Sequence, residues 1–195
     1  RLLYYNFVKC FWNDAFDFET NNMVNFDWYH PHHAWQHTEQ EVKEWLDAEF
    51  PGLVTIHTLG IGASASSHPA GQSGLDTAKR AAMLKPDAAF IEFAVNDAYL
   101  PYAISPGDSK RNLETIVDTM RKGNPEVEIV VQTTNPVIDM PDPANRHASN
   151  RPHLADYFEG YREVARARGL ILIDHYRSWQ KLLDAGREEF LKRVP

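Results

Sequence analysis

An Asn-Asp pair, Asn96-Asp97, follows a short and mostly apolar run, and this position suits it for chemistry. The run covers residues 87–93, and an apolar run bounded by turn residues predicts a buried strand of a parallel sheet. In open α/β sheets ligands bind at the carboxyl edge of the strands, where an Asn amide can donate a hydrogen bond to a substrate oxygen. Because Asn and Asp are also common in turns at strand ends, a purely structural turn is the alternative.

Strands and helices alternate along the rest of the chain. Strands are predicted over residues 2–12, 53–59, 87–93, 127–132 and 170–173. Helices are predicted over residues 38–50, 71–84, 105–123, 154–168 and 176–193. This alternation predicts a parallel sheet covered by helices on both faces, which is a doubly wound α/β fold. The 195 residues suffice for one domain and are too few for two comfortable ones, so a single domain is expected over 1–195, with 1–34 hard to assign.

Charge and composition exclude some classes of binding partner. A formal net charge of −7 argues against nucleic acid or an anionic membrane, because both require a basic surface. The lone cysteine, Cys10, excludes an internal disulfide. No run is long and apolar enough to predict a membrane span, and no signal peptide is visible. These observations favour a solvated acidic surface over a nucleic-acid or membrane partner.

Two stretches carry a family resemblance. Residues 85–99, KPDAAFIEFAVNDAY, resemble the third sequence block of the SGNH/GDSL hydrolases, in which a strand after Pro-Asp ends in Gly-x-Asn-Asp; Ala94 stands in place of the Gly. Residues 58–64, TLGIGAS, resemble the second block, a strand followed by a Gly-rich turn. The resemblance extends from about residue 35 to 195. It implies a flavodoxin-like three-layer α/β/α sandwich with a five-stranded sheet.

The same resemblance implies a serine esterase or acylhydrolase that needs no cofactor. Its substrate would be a carboxylic ester, for example an acetyl or short acyl group on a carbohydrate. The oxyanion hole would consist of the Asn96 amide and a backbone N–H, for which Gly62 is chosen because a glycine allows close approach to the main chain. Gly60 and Ala63 remain alternatives. Asp97 and Asn135 are expected to line the substrate side.

The nucleophile and the base do not occur at the positions that the resemblance implies. The first fifty residues contain no serine, and the family serine would fall near Met23 or, with another alignment, at Asn13 or Asp14. Cys10 is interpreted as a buried strand residue. The family's Asp-x-x-His pair is expected beyond Pro195. Together with the non-Met start, this predicts a truncated or frame-shifted chain in which residues before about 35 do not form a central strand.

Two motifs elsewhere imitate the missing blocks. Asp27 and His30 have the Asp-x-x-His spacing, but a chance match in a His-rich loop is favoured. Gly107-Asp108-Ser109 spells the GDS motif, but it follows Pro106 and opens a helix, so Asp108 or Ser109 is interpreted as a helix N-cap. Asp27 and His30 are kept as alternative catalytic residues, since their order would suit a circularly permuted chain, whereas the GDS motif is interpreted as structural.

Three further groups of polar residues have types that can bind a ligand or take part in catalysis. His30, His32, His33 and His37 have spacing that can bind zinc, but no Cys or acidic partner completes a specific motif, so no metal is predicted. The long loop over residues 133–151 carries polar side chains that can contact an anionic or sugar substrate, and a solvated loop without a binding role is the alternative; these side chains are Arg146, His147 and Arg151. The pair at residues 174–175 is a poor Asp-His dyad, because adjacent residues on an extended chain point in opposite directions.

Two other functions remain open beside the esterase. A catalytically inactive relative would bind a glycan or protein partner through the same cleft, and the missing serine favours it. A metal-dependent hydrolase would use the loop histidines, and the metal content of the purified protein would decide that case.

Overall fold

The computed structural model describes residues 43–45, 48–57, 59–60, 63–67, 73–139 and 146–186. Residues 43–57 of this part belong to one compact unit and residues 59–186 to another, and each is described by itself. In the first unit, residues 43–45 and 48–49 are helical, and a turn follows at 51–53 in which Gly52 has a φ of 67°. The predicted helix end at Pro51-Gly52 is therefore confirmed. The predicted strand over 2–12 lies outside the described residues.

The described residues of the second unit form nine elements. In chain order they are α1 (Gly74–Leu84), β1 (Ala88–Ile91), α2 (Ala94–Asp97), a 3₁₀ turn (Leu100–Tyr102), α3 (Pro106–Gly123), β2 (Glu128–Thr133), α4 (Leu154–Arg168), β3 (Ile171–Asp174) and α5 (His175–Asp184). In the described part of the chain, no helix has both the length and the apolar character needed to cross a bilayer.

The sheet has three parallel strands in the order β1-β2-β3. Ile91 of β1 is aligned with Val131 of β2, which in turn is aligned with Leu172 of β3. Five strands were predicted, and the structure corrects this: in the described residues among 53–59 the backbone forms no strand. The apolar content of that segment was not sufficient, because a strand also needs a neighbouring strand to accept and donate its backbone hydrogen bonds.

The core lies between the central strand β2 and the helices α3 and α4. The side chains buried there come from several elements: Ile91, Leu113, Ile116, Val117, Val131, Phe158, Tyr161 and Val164. The apolar residues of α3 recur at three- and four-residue intervals, so they form one buried stripe. Helix α3 also packs closely on α1, where a side chain at Gly123 would overlap the backbone carbonyl of Ala82.

Local sequence signals explain where the long helices begin and end. The Ser105 hydroxyl caps α3 by accepting from the Asp108 N–H, and Pro106 is the first helical residue. Helix α4 ends at Gly169, whose φ of 62° suits a glycine C-cap. The prediction that Asp108 or Ser109 is the N-cap of α3 is wrong, because Ser105 takes that role.

Candidate functional site

Three of the predicted site residues, Asn96, Asp97 and Asn135, lie at the carboxyl edge of the sheet. Asn96 and Asp97 belong to α2, a single helical turn that begins three residues after β1 ends. Asn135 follows the end of the neighbouring parallel strand β2 by two residues, so it lies at the same edge. Its side-chain amide donates to the Pro136 carbonyl at 3.0 Å. A plain loop was predicted over 96–105, and the structure corrects this to α2 followed by a 3₁₀ turn.

The Asn96 side chain contacts the turn formed by residues 63–67. Its amide nitrogen donates to the Ser64 carbonyl at 2.9 Å. Because a carboxamide NH₂ carries two N–H donors, this contact fixes the amide and leaves the second N–H as a possible donor to a substrate. The turn is held from the other side by the Tyr102 hydroxyl, which donates to the Ala63 carbonyl at 2.8 Å. Ala63 has a φ of 59°, a conformation that favours glycine.

The structure describes two of the three candidates for the backbone donor of the oxyanion hole. Gly62 lies outside the described residues. Gly60 is exposed, and a side chain added there would meet no atom within 4 Å. Ala63 is exposed at the start of the turn that Asn96 contacts. The structure therefore gives the position of the Asn96 side chain, and the oxyanion hole itself stays a prediction.

Asp97 has a buried structural role beneath the same turn. Its side chain is only 1% exposed, and its carboxylate accepts from the Ser66 N–H at 2.7 Å and from the Ser109 hydroxyl at 2.5 Å. Burial raises the pKa of Asp97, while the hydrogen bonds from Ser109 and Ser66 lower it and offset part of that rise. Ser109 of the GDS motif is itself fully buried, which agrees with the interpretation that it is not the nucleophile.

Sequence reasoning missed Glu92, a half-buried carboxyl group between β1 and α2. Its Oε1 accepts from the Val95 N–H at 3.1 Å. Burial raises its pKa to about 7; the hydrogen bond from Val95 opposes this rise, and the nearby charge of Asp97 adds to it. An acidic residue inside an apolar strand run was the signal that could have identified it.

The loop before α4 reaches the same edge through Arg151. Its Nε donates to the Val95 carbonyl at 2.7 Å, and its guanidinium lies 5.0 Å from the centre of the Tyr99 ring. Earlier in this loop, the backbones of Arg146 and Asp139 form an isolated antiparallel β-bridge. Arg151, predicted as a substrate contact, thus supports the helical turn that carries Asn96.

Asp174 ends β3, and its carboxylate accepts hydrogen bonds from several neighbouring residues. Arg162 donates to it through Nε at 2.7 Å and Nη2 at 3.1 Å, and the Thr133 hydroxyl donates at 3.0 Å. It also caps α5 by accepting from the Arg177 N–H. Burial raises its pKa, but the hydrogen bonds from Arg162 and its other donors outweigh burial and hold the pKa below the usual value.

The remaining candidates lie outside the described residues, and their roles stay predictions. They are Cys10, Asn13, Asp14, Met23, Asp27, His30, His32, His33 and His37. Among the residues that the structure describes, no group of three or more His, Cys, Asp or Glu side chains is arranged to hold a metal ion.

The described fold is a parallel α/β sheet with an Asn-Asp turn at its carboxyl edge, and comparison with known families shows which family the chain belongs to. The model of the GDSL-like lipase/acylhydrolase family matches residues 25–192. The chain therefore belongs to this family, as the two sequence blocks predicted, and its general class is that of ester hydrolases. No curated protein and no solved structure gave a significant match.

Proposed function

We propose that this protein hydrolyses carboxylic esters by a serine mechanism, with the Asn96 amide and the Gly62 N–H as the oxyanion hole. The substrate proposed is an acetyl or short acyl ester, for example on a carbohydrate, and no cofactor is needed. Asp97 and Asn135 belong to the substrate edge, Asp97 through the turn it holds. Serine attacks the carbonyl, a histidine takes and returns the proton, and an aspartate orients that histidine.

The observation that carries the proposal is the contact of the Asn96 amide with the Ser64 carbonyl. It fixes a side-chain donor beside a turn of small residues, at the sheet edge where α/β folds bind ligands. A preorganised donor of this kind stabilises the negative charge that develops on the carbonyl oxygen in the transition state. The family membership supports the same reaction class.

The test is hydrolysis of p-nitrophenyl acetate by the parent chain and by Asn96→Ala. Loss of one oxyanion donor is expected to lower kcat by roughly 10² to 10³-fold with little change in KM. Asn124→Ala is a matched control, because the Asn124 amide also donates to a backbone carbonyl at 2.9 Å, that of Pro86 before the other end of β1. Equal losses of kcat in the two variants would contradict the role of Asn96.

A catalytically inactive relative that binds a glycan or protein partner is the second candidate. The observation that favours it is the absence of serine from the first fifty residues. A fluorophosphonate probe, which reacts covalently with activated serines, separates the two candidates. Labelling of one of the eight serines, located by mass spectrometry, would support the esterase. No labelling and no ester turnover would support the binding protein.

A further inference from the structure

Two residues of α3, Ser109 and Asn112, are linked by hydrogen bonds to the turn over residues 63–67, Asn112 directly and Ser109 through Asp97. The Ser109 hydroxyl donates to Asp97 Oδ2 at 2.5 Å, and Asp97 Oδ1 accepts from the Ser66 N–H at 2.7 Å. The Asn112 amide donates to the Ser66 hydroxyl at 2.9 Å and to the Ser67 hydroxyl at 3.0 Å. Ser109 and Asn112 are three residues apart, so they lie on one face of the helix.

These contacts reach the part of the turn that Asn96 does not. Asn96 fixes the turn at Ser64, whereas Asp97 and Asn112 fix it two to three residues later. The start of α1 also holds this segment, because the Gly74 N–H donates to the Ala65 carbonyl at 2.9 Å. The turn is therefore anchored by three helices, and α3 contributes only side chains.

Because the Asp97 carboxylate is buried, its hydrogen bond from the Ser109 hydroxyl matters for how the carboxylate is held. The donors that offset the burial of this carboxylate are neutral groups, chiefly the Ser109 hydroxyl and the Ser66 N–H. If the hydroxyl is removed, the carboxylate must either take up a proton or move toward another donor. Both responses weaken or displace its hydrogen bond to the Ser66 N–H, so the change at α3 is transmitted to the turn.

We propose that Ser109 and Asn112 are positioning residues that hold the turn over 63–67 at the distance from Asn96 that the oxyanion hole requires. This inference rests on the proposed function. Neither residue contacts the substrate: Ser109 acts through Asp97, and Asn112 through the hydroxyls of Ser66 and Ser67. The GDS motif thus has a role at the site that is neither nucleophilic nor helix-capping.

The test combines a structural and a kinetic measurement on the full 195-residue chain. Ser109→Ala is expected to raise the hydrogen-exchange rate of the Ser66 amide about tenfold or more, because its acceptor is no longer fixed. It should lower kcat for p-nitrophenyl acetate by roughly 10- to 100-fold with KM within about twofold, since misplacing a catalytic donor affects mainly the chemical step. Asn112→Ala, at a half-buried position, is the second variant and is expected to act in the same direction.

Ser105→Ala is the matched control on the same helix. The Ser105 hydroxyl also donates to a carboxylate oxygen at 2.5 Å, that of Asp108, but the pair is exposed. This variant is expected to lower the thermal midpoint through loss of the N-cap and to leave the Ser66 exchange rate and kcat unchanged.

A double variant separates positioning from general stability. In the Asn96→Ala background, Ser109→Ala should lower kcat by no more than about twofold, because residues that act through one hydrogen-bond network are non-additive. Full multiplication of the two losses would overturn the proposal, and so would unchanged Ser66 exchange in both folded single variants. If no form of the chain hydrolyses the ester, the proposed function fails, and the Ser66 exchange rates alone decide whether α3 positions the turn.

Discussion

Two aspartates with little exposure to solvent lie at the carboxyl edge of the same sheet, and their charges are stabilised in opposite ways. Asp97, which follows β1, accepts hydrogen bonds from a hydroxyl and a backbone N–H. Asp174, the last residue of β3, accepts two hydrogen bonds from the Arg162 guanidinium. Burial dominates at Asp97 and raises its pKa, whereas the cation and the other donors dominate at Asp174 and lower it.

The difference separates a charge that serves the fold from one that serves the candidate site. The Arg162 guanidinium beside Asp174 compensates the charge of this carboxylate directly, so the two side chains form an ion pair with little exposure to solvent. The neutral donors beside Asp97 compensate the charge of its carboxylate less than a guanidinium would. The stability of this carboxylate therefore depends on the arrangement of the turn that supplies the Ser66 N–H. A weakly compensated charge is expected where the structure needs a fixed turn next to a reacting group.

Asp174→Asn should be the more destabilising of the two matched substitutions. Removing the charge leaves Arg162, whose side chain is 16% exposed, with Glu159 as its remaining charged partner among the described residues. We expect a loss of about 2 to 3 kcal/mol at pH 7, toward the lower end for a broken buried pair because Asn still caps α5. Asp97→Asn should cost only about 1 kcal/mol, since Asn can accept from Ser66. Urea denaturation of both variants measures these losses.

The dependence of the two losses on pH provides the control. The pKa of Asp174 is lowered on folding, so its stabilisation is present above its unfolded pKa, near 3.8, and is lost as the pH falls further. The pKa of Asp97 is raised, so its stabilisation is greatest below about 3.8 and is lost as the pH rises. Between pH 3 and pH 7 the cost of the Asp174 substitution should grow, and that of the Asp97 substitution should shrink. Parallel pH profiles would contradict the comparison.

Glu92→Gln tests whether the charge of a second carboxylate near Asp97 is also poorly compensated. The pKa of Glu92 is raised from 4.5 to about 7, so its contribution is present below about pH 4.5 and is lost as the pH rises through 7. The free energy of unfolding of the variant, relative to the parent, should therefore increase by about 2 kcal/mol between pH 5 and pH 8. Gln keeps the oxygen that accepts from Val95, so helix α2 should persist.

Glu128→Gln, which removes an exposed carboxylate from the neighbouring strand, is the control for this measurement. Groups facing Glu92 are Asp97 on its own side, Arg151 from the loop before α4, and the Tyr161 hydroxyl from α4 itself. Because these groups are present in both forms, the difference between parent and variant isolates Glu92. A difference that does not change with pH would exclude the raised pKa.

The two long helices were predictable because their boundaries are set by local chemistry. The prediction for α4 coincides with Leu154–Arg168, and that for α3 differs by one residue at its start. Ser105 and Pro106 at one end of α3, and Gly169 at the end of α4, act through their immediate neighbours. The strand predicted over 53–59 was wrong in the described residues, because strand formation depends on a partner that the segment itself does not contain.

The candidate site was predictable only in part. Asn96 could be identified because a motif places it directly after an apolar run. The roles of Ser109 and Asn112 could not, because their partners Asp97 and Ser66 lie 12 and 46 residues away in sequence. Contacts of that kind arise only when α3 packs beneath the turn, and no pattern within residues 105–123 indicates them.

The smallest expected effect concerns the conformation of the turn itself. Ala63 has a φ of 59° and is exposed, so Ala63→Gly should remove backbone strain without losing a buried side chain. Glycine also increases the entropy of the unfolded chain, and the net gain in the free energy of unfolding should be only about 0.5 kcal/mol.

Lys85→Gly is the matched control, since Lys85 has a φ of 49° at the C-cap of α1, away from the candidate site. Similar gains in both variants, measured by urea denaturation, with a change in kcat only for Ala63→Gly, would assign the turn to the oxyanion hole. A loss of stability in Ala63→Gly alone would mean that the turn does not adopt this conformation, and it would weaken the argument that Asn96 and residues 63–67 act together.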